Sequence, residues 1–284
     1  MLSQPDSANS LSSHTWRLLK TPAASAAFNM ALDESILSTV VQKKAPPTLR
    51  LYSWSVPSLS LGYAQPVSDV DQSELTRRNW QLVRRPTGGK AILHTDELTY
   101  SITAALDEPL VAGSLLESYQ RISQALQKAL QLLGTNTSAK NKPGLPNDQS
   151  KKEPVCFQTP SDYEITWNGK KLIGSAQARK LGGVLQHGSL PLCGDLSRIT
   201  QVLAYPSESD RASAAQKTLA QAVTLETAAG RSISWEGAAD AVIQSFTTEF
   251  GISFILAEPT ADELAAADDL VQTKYGSDYW NLRI

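Results

Sequence analysis

Alternating hydrophobic and polar positions predict a β-hairpin in the second half of the chain. Tyr163–Trp167 alternates with the period of a half-buried strand. Asn168-Gly169 follows and favours a two-residue type I′ turn, because both central positions need positive φ. That turn predicts three cross-strand pairs: Trp167 with Lys170, Thr166 with Lys171, and Ile165 with Leu172. Lys170 and Lys171 therefore face opposite sides of the hairpin.

Helical periodicity predicts several amphipathic helices along the chain. Phe28–Lys43 places apolar residues on one stripe, and Pro46-Pro47 is predicted to end that helix. Ser114 with Glu117 forms a capping-box pattern, and Gly134 marks the end of the helix that follows. Further helices are predicted at Asp71–Asn79, Leu196–Leu203 and Ser213–Gln221, from Ser234, and from Thr260 to about Lys274.

Strand-like runs lie between these helices. They are Trp16–Leu19, Thr48–Trp54, Ser58–Tyr63, Trp80–Arg85, Glu97–Ala104 and Gly251–Leu256. In Glu97–Ala104 the apolar positions are predicted to face the core and the hydroxyl-bearing positions to face outward. Thr135–Pro154 has no apolar period, which predicts a long surface loop. Because strands and helices mix without regular βαβ alternation, the predicted fold class is α+β (mixed α/β), with a mixed β-sheet and flanking helices.

Composition and charge narrow the function classes. The 284 residues are 41% hydrophobic and carry a net charge of -2, so neither a nucleic-acid nor a membrane partner is expected. Residues 1–14 lack the features of a secretory signal and are predicted to be a disordered tail. Two cysteines are too few for a disulfide framework, which fits a reducing, cytoplasmic location. The three histidines and two cysteines have no metal-ligand spacing.

Cys156 and Lys171 are a candidate nucleophile and the cation that activates it. A thiolate is the reactive form of cysteine, and a nearby cation lowers the thiol pKa from about 8.5. Cys156 precedes the predicted hairpin at a loop–strand boundary. The alternatives are a small buried core cysteine and two solvated hairpin lysines. Cys193 is interpreted as structural.

A second candidate region is the turn Thr87-Gly88-Gly89, which permits close backbone approach to a ligand. The preceding Arg84 and Arg85 could bind a carboxylate, phosphate or carbonyl group, the alternative being a tight turn with surface arginines. Gly89-Lys90 is not the end of a P-loop, because the required glycine and Ser/Thr positions differ. His94 and His187 could line the same pocket, although each alone is typical of a structural histidine.

Taken together, these stretches resemble the biotin/lipoate A/B protein ligase family over roughly Trp16 to Ile284. The matching segments include FNMALDESIL, RRPTGGKAILHTDELTYSI, CFQTPSDYEITWNGKKLIGSAQARKLGGVLQHGSL and the ending ELAAADDLVQTKYGSDYWNLR. The resemblance implies the biotin/lipoate protein ligase catalytic-domain fold at residues 15–258, followed by a C-terminal helical extension at 259–284.

Within that family the chain looks like the octanoyltransferases of Gram-positive bacteria. The ligase-type motif resembles R-R-x-x-G-G-G, but Lys90 stands at the third glycine. The resemblance implies that Cys156 carries an acyl thioester and that Lys171 assists it. The implied reaction moves an octanoyl group from octanoyl-acyl carrier protein to a lysine of a lipoyl-accepting protein, without a cofactor or metal. The implied acceptors are glycine cleavage H protein or the E2 lipoyl domains of 2-oxoacid dehydrogenases.

The resemblance also implies a set of substrate-binding residues. They are Arg85, Thr87, Gly88, Gly89, Lys90, His94, Gly174, Ser175, Ala176, Gln177, His187 and Gly188. Three alternatives remain open: an ATP- and Mg-using lipoate-protein ligase that does not need Cys156, an octanoyl or lipoyl amidotransferase between carrier proteins, and a non-catalytic module that holds acylated domains. The presence of both Cys156 and Lys171 disfavours the last.

Overall fold

A computed structural model describes residues 14–140 and 164–284 of the protein. The strands are β1 (His14–Lys20), β2 (Thr48–Tyr52), β3 (Ser58–Leu61), β4 (Gln81–Arg84), β5 (Ile92–His94), β6 (Glu97–Ala105), β7 (Ser138–Lys140), β8 (Glu164–Trp167), β9 (Lys170–Lys180), β10 (Gly183–Pro191) and β11 (Ile252–Ala257). The α-helices are α1 (Ala26–Val41), α2 (Gln72–Arg77), α3 (Leu115–Leu132), α4 (Glu208–Gln221), α5 (Leu225–Ala229), α6 (Trp235–Phe250), α7 (Ala261–Leu270) and α8 (Asp278–Asn281).

The strands form two mixed sheets, which confirms the predicted fold class. The larger sheet has eight strands in the order β11-β1-β2-β6-β10-β9-β8-β7. In it β1 runs parallel to both β11 and β2, and the remaining pairs are antiparallel. The smaller sheet has the order β4-β3-β5, with one parallel and one antiparallel pair.

The predicted hairpin forms, but one of its three pairs is wrong. Trp167 pairs with Lys170 and Thr166 with Lys171, as predicted, whereas Ile165 lies opposite Ile173. A β-bulge at this point inserts one extra residue into β9 and shifts the register beyond it. The two lysines differ as expected. Lys171 is only 4% exposed, and Lys170 donates from Nζ to a backbone carbonyl at the protein surface.

Both faces of β6 are buried, so the prediction of an outward-facing polar side is wrong. The apolar positions enter the main hydrophobic core together with residues of α3 and α6. The hydroxyl-bearing positions lie under α1, where Ser101 Oγ donates to Asp33 Oδ1 at 2.8 Å. Alternation separates the two faces of a strand correctly, but it does not reveal that a helix covers the polar face.

The predicted helices form with changes at their ends, although Leu196–Val202 is a 3₁₀-helix and α4 begins five residues before the predicted Ser213. The capping box at Ser114 is present, and α1 ends at Val41, before the predicted proline stop. The surface-loop prediction for Thr135–Pro154 is wrong at Ser138–Lys140, which pairs with β8 as β7. Residues 141–154 of that prediction lie outside the described residues. No helix in the two described ranges is long and apolar enough to cross a membrane.

The C-terminal helices are attached to the body of the protein by one buried and one partly buried ion pair. Arg17 on β1 binds both oxygens of Glu263 on α7, at 2.8 and 2.6 Å. Glu34 on α1 accepts from Lys274 at 2.8 Å and also from the Tyr275 hydroxyl. The boundary between a catalytic domain at 15–258 and an extension at 259–284 remains a prediction.

Candidate active site

A buried carboxylate, Asp33 on α1, is the centre of a polar layer beneath the large sheet. It binds Arg50 at 2.8 Å and accepts from the Tyr52 hydroxyl at 3.0 Å and from Ser101 at 2.8 Å. Burial alone would raise the pKa of Asp33. The Arg50 guanidinium and the hydrogen bonds from His187 and Ser101 lower this pKa by more than burial raises it. The net pKa lies below the ordinary value, so the carboxylate is ionised at neutral pH.

His187 on β10 connects this carboxylate to the Thr87 turn. Its Nδ1 lies 3.4 Å from Asp33 Oδ2, and its Nε2 lies 2.6 Å from Thr87 Oγ1. Burial lowers the pKa of His187 despite the nearby carboxylate, so the ring is neutral. We assign its proton to Nδ1, since Asp33 can only accept, and Thr87 then donates to Nε2. Two predicted site residues, Thr87 and His187, are therefore in direct contact.

A second carboxylate–histidine pair lies nearby. His94 Nδ1 is 2.7 Å from Glu97 Oε1, and His94 Nε2 is 2.8 Å from Ser60 Oγ. Trp54 stacks on the His94 ring with the centroids 4.0 Å apart. Burial raises the pKa of Glu97, but His94 and the hydroxyl donors, including Ser189 at 2.5 Å, lower it below the ordinary value. Both histidines thus have their ring nitrogens occupied by buried protein partners.

The two arginines before the turn hold backbone carbonyls. Arg84 Nη2 donates to the carbonyl of Asn281 at 3.0 Å, which binds the C-terminal helix α8 to β4. Arg85 Nη2 donates to the carbonyls of Gly88 and Lys90 at 2.8 and 2.7 Å. The Arg85 guanidinium therefore fixes the shape of the turn at residues 88–90, and the Arg84 guanidinium holds the C-terminal segment against β4, in addition to any contact with a substrate.

These inward hydrogen bonds determine which way the turn presents its amide groups. The Thr87 carbonyl accepts from the Tyr63 N–H at 2.8 Å, and the Gly88 carbonyl accepts from Arg85. In a planar trans peptide the N–H points opposite to the carbonyl of the same unit. The N–H groups of Gly88 and Gly89 therefore point away from Tyr63 and Arg85, as donors for an incoming oxygen.

Two glycines allow the backbone to pack this closely around the turn and the neighbouring strands. A Cβ at Gly62 would lie 1.9 Å from the carbonyl oxygen of Gly89. Gly89 itself has a φ of +91°, which favours glycine at that position. A Cβ at Gly188 would lie 2.6 Å from both Ser175 Oγ and a ring carbon of Tyr100. Side chains at either glycine would displace the turn or strand β9.

An inner cavity lies between the two histidine networks. Its enclosed part is about 20 Å³, room for about one water, and the space up to its mouth is about 360 Å³. Its wall is almost entirely apolar, because the polar atoms of the lining residues bond to one another. The predicted site residues that line it are Arg85, His94, Gly174, Ser175, Ala176, His187 and Gly188.

Sequence reasoning missed the other half of this wall. The missed residues are Met30, Tyr52, Trp54, Ser60, Ile92, Thr99 and Ser189. Thr99 and Ser189 lie directly opposite each other on β6 and β10, two pairs along from Ser101 and His187. The alternation of hydroxyl and apolar residues on β6 was the available signal, and it was interpreted as a solvent-facing side.

Comparison with known proteins places this arrangement in a family. Residues 25–247 match the family described as the lipoyl protein ligase A/B catalytic domain. The chain belongs to this family. It is 40% identical over 272 residues to a protein named octanoyltransferase LipM from Kyrpidia tusciae, covering 95% of this chain and 99% of that protein. Against octanoyltransferase LipM from Bacillus subtilis it is 36% identical over 276 residues, with 95% and 98% coverage.

Solved structures show that the family fold is shared with ligases. The bipartite lipoate protein ligase of Thermoplasma acidophilum, described together with its E2 lipoyl domain, is similar with a TM-score of 0.75 and 26% identity, covering 95% of this chain and 96% of that one. Lipoate-protein ligase A bound with ATP is similar with a TM-score of 0.76 and 25% identity, with 94% and 98% coverage. The biotin/lipoate ligase catalytic-domain fold predicted from the sequence is confirmed.

The lipoyl protein ligase A/B fold brings some predicted residues together and separates others. Lys171 lies on β9, three residues before the cavity wall begins at Gly174, with its side chain buried. Gln177 faces α3 on the other side of the sheet, where it bonds Ser118. Gly88, Gly89 and Lys90 line a separate open groove. Cys156 lies outside the described residues.

The other cysteine fits its structural interpretation. Burial raises the pKa of the Cys193 thiol, and the nearby carboxylates of Asp96 and Glu226 raise it further. A raised pKa disfavours the thiolate that a nucleophile requires. Cys193 is therefore a poor candidate for carrying an acyl group.

Proposed function

We propose that this chain is an octanoyltransferase that moves an octanoyl group from octanoyl-acyl carrier protein to a lysine of a lipoyl-accepting protein. The acyltransferase class is the one named for the near-full-length relatives at 35–40% identity. The structural observation that supports it is the inner cavity, an apolar slot whose wall residue His187 bonds Thr87 of the turn that presents amide donors. An alkyl chain with a reactive carbonyl at one end matches that pairing of surfaces.

The proposed chemistry proceeds through a thioester on Cys156. The Cys156 thiolate attacks the octanoyl carbonyl, the carbon–sulfur bond to the carrier breaks, and the carrier thiol leaves after taking up a proton. The acceptor lysine, as a free amine, then attacks the new thioester. An amide forms as the amine nitrogen loses a proton, which balances the proton that the carrier thiol took up, and the Cys156 thiolate is released. The substrate thioester is already activated, so neither ATP nor a metal ion enters the balance.

The described residues would stabilise both the reacting carbonyl group and the alkyl chain of the substrate. Lys171 would lower the thiol pKa and, with the N–H groups of Gly88 and Gly89, would donate to the carbonyl oxygen as negative charge develops. The alkyl chain would fill the inner cavity, where each buried CH₂ contributes about 0.8 kcal/mol. Because the enclosed space holds about one water, side chains of the wall, Met30 foremost, must change rotamer to admit the chain.

The proposed acceptors are lipoyl domains, either of glycine cleavage H protein or of 2-oxoacid dehydrogenase E2 subunits. The E2 lipoyl domain described with the Thermoplasma acidophilum ligase supports this class of acceptor. The proposed reaction takes place in the cytoplasm, where the acyl carrier protein and a reduced thiol are both available.

An assay that varies the acyl donor separates this function from its alternatives. Purified protein is mixed with an unmodified lipoyl domain and either octanoyl-acyl carrier protein without ATP, or free octanoate with ATP and Mg²⁺. We expect octanoylation of the lipoyl domain only from the carrier protein, and none of a control domain whose target lysine is replaced by arginine. Transfer that requires ATP and the free acid would indicate a ligase. Transfer only from an octanoylated protein domain would indicate an amidotransferase.

A further inference from the structure

The C-terminal segment, residues 278–284, closes the outer edge of strand β4. Arg84 is the last residue of β4, which lies at the edge of the smaller sheet. Its N–H donates to Asn281 Oδ1 at 2.8 Å, and its carbonyl accepts from the Trp280 indole N–H at 2.7 Å. Both backbone groups of Arg84 are thus bonded to side chains of α8. The C-terminal segment lies beyond residues 25–247, the part of the chain that matches the family.

Asn281 also holds the side chain of Arg84. Its backbone carbonyl accepts from Arg84 Nε at 3.2 Å and from Nη2 at 3.0 Å. The remaining nitrogen of the guanidinium, Nη1, donates to the carbonyls of Gly62 at 2.9 Å and Gln65 at 2.5 Å. Because Arg84 is fully buried, water cannot readily replace a lost partner. One guanidinium therefore joins the C-terminal segment to the 62–65 loop.

The 62–65 loop supports the turn Thr87-Gly88-Gly89. The Tyr63 N–H donates to the Thr87 carbonyl at 2.8 Å, and Gly62 packs directly against the carbonyl of Gly89. The C-terminal segment also contacts this loop without Arg84, since Arg283 Nη2 donates to the Tyr63 carbonyl at 3.0 Å. The contacts therefore run without a gap from the C-terminal segment, through Arg84 and the 62–65 loop, to the turn.

We propose that Asn281 is a positioning residue for octanoyl transfer, and that through Arg84 and the 62–65 loop it sets the place of the Gly88 and Gly89 N–H groups. The inference rests on the proposed function, in which those N–H groups donate to the substrate carbonyl oxygen. Such a donor must lie about 2.7–3.1 Å from the oxygen on which charge develops, so a small displacement of the turn weakens it. Asn281 lines neither the inner cavity nor the open groove, so it acts through the backbone.

Two substitutions of Asn281 separate positioning from stability. Asn281→Leu keeps the branching of the side chain and removes the acceptor for the Arg84 N–H. Asn281→Asp keeps that acceptor, but it sets a carboxylate oxygen against the Tyr275 carbonyl, to which the amide donates at 2.8 Å. Both should lower the midpoint of urea denaturation. Only Asn281→Leu should lower kcat with octanoyl-acyl carrier protein and saturating lipoyl domain, by about 10-fold, part of the loss expected when an oxyanion donor is removed. The KM for the carrier protein should not change, because the affected contact forms in the transition state.

A milder variant and a control complete the comparison. Trp280→Phe keeps an aromatic ring and removes only the donor to the Arg84 carbonyl, so kcat should fall by about 3-fold. Glu263→Gln weakens the buried pair with Arg17, which lowers stability without touching Arg84, and its kcat should equal that of wild type. In all four variants iodoacetamide should alkylate Cys156 at the wild-type rate, since alkylation does not use the carbonyl donors.

Three results would overturn this assignment while leaving octanoyl transfer intact. The first is a wild-type kcat in Asn281→Leu or, if that variant does not fold, in Trp280→Phe. The second is an equal loss of kcat in Asn281→Leu, Asn281→Asp and Glu263→Gln, which would attribute the loss to reduced stability. The third is slowed alkylation of Cys156 in Asn281→Leu, which would show that the nucleophile is disturbed as well. Failure of wild type to use octanoyl-acyl carrier protein at all would instead contradict the proposed function, and this inference with it.

Discussion

Asp33→Asn is expected to lower the free energy of unfolding by about 3–5 kcal/mol, the usual effect of removing one partner of a buried ion pair. The substitution leaves the Arg50 guanidinium, 1% exposed, without its carboxylate at 2.8 Å. It also weakens the acceptor for His187, which positions Thr87. Urea denaturation of both proteins at neutral pH measures the difference.

The matched control is Asp240→Asn, which breaks an exposed pair with Lys20 at 2.9 Å and should cost at most about 1 kcal/mol. The pH dependence gives a second check. Because the pKa of Asp33 is lowered in the folded protein, its contribution is present above the ordinary Asp pKa of about 3.9 and is lost as pH falls through the lowered value. The difference between wild type and variant should shrink in acid. A loss below 1 kcal/mol at neutral pH would contradict a pivotal role for this carboxylate.

Lys171→Met is expected to reduce kcat for octanoyl transfer by about 10²–10³-fold, as for the loss of one oxyanion donor. Methionine keeps most of the length of this buried, unbranched side chain and removes its charge. The thiol pKa of Cys156 should rise as well, so alkylation of that thiol at neutral pH should slow. Rates with octanoyl-acyl carrier protein and the pH profile of iodoacetamide alkylation measure the two effects separately.

Lys170→Met is the matched control, since the neighbouring lysine bonds a backbone carbonyl at the protein surface. Its transfer rate should stay within about 3-fold of wild type, in line with a surface substitution. An alkylation profile unchanged in Lys171→Met would show that Lys171 does not activate the thiol. An unchanged kcat would also remove it from the stabilisation of the carbonyl oxygen.

Local sequence patterns predicted the structural features that neighbouring residues determine. The Asn168-Gly169 turn and the Ser114 capping box depend on residues within a few positions of one another, and both are present. The β-bulge beside Thr166 escaped prediction because Leu172 and Ile173 are adjacent apolar residues, and the sequence pattern does not show which of them faces Ile165. Its consequence is a register in which Ile165 meets Ile173.

The polar layer depends on contacts that no local pattern encodes. Asp33 meets His187 across 154 positions, and Thr87 meets His187 across 100. Sequence reasoning selected Thr87 and His187 from the family resemblance, but it did not connect them to the carboxylate on α1. It proposed that the arginine pair could bind a substrate group, and it did not reveal that Arg84 and Arg85 hold the backbone of the loops around the site.

The fold alone does not distinguish an octanoyltransferase from a ligase. Lipoate-protein ligase A bound with ATP has the same fold, with a TM-score of 0.76. We expect the difference to lie in side chains such as Cys156 and Lys90. Lys90 places a cation on the groove where the ligase-type motif has glycine. A lysine side chain there fills space that a bare glycine leaves open.

The intact mass of the protein after mixing with octanoyl-acyl carrier protein, without ATP, tests the thioester most directly. Wild type should gain the mass of one octanoyl group, hydroxylamine should remove it, and Cys156→Ser should gain none that hydroxylamine releases. Cys193→Ser should acquire the adduct as wild type does, since that thiol has a raised pKa. Transfer to a lipoyl domain by Cys156→Ser at the wild-type rate would contradict a nucleophilic role for Cys156.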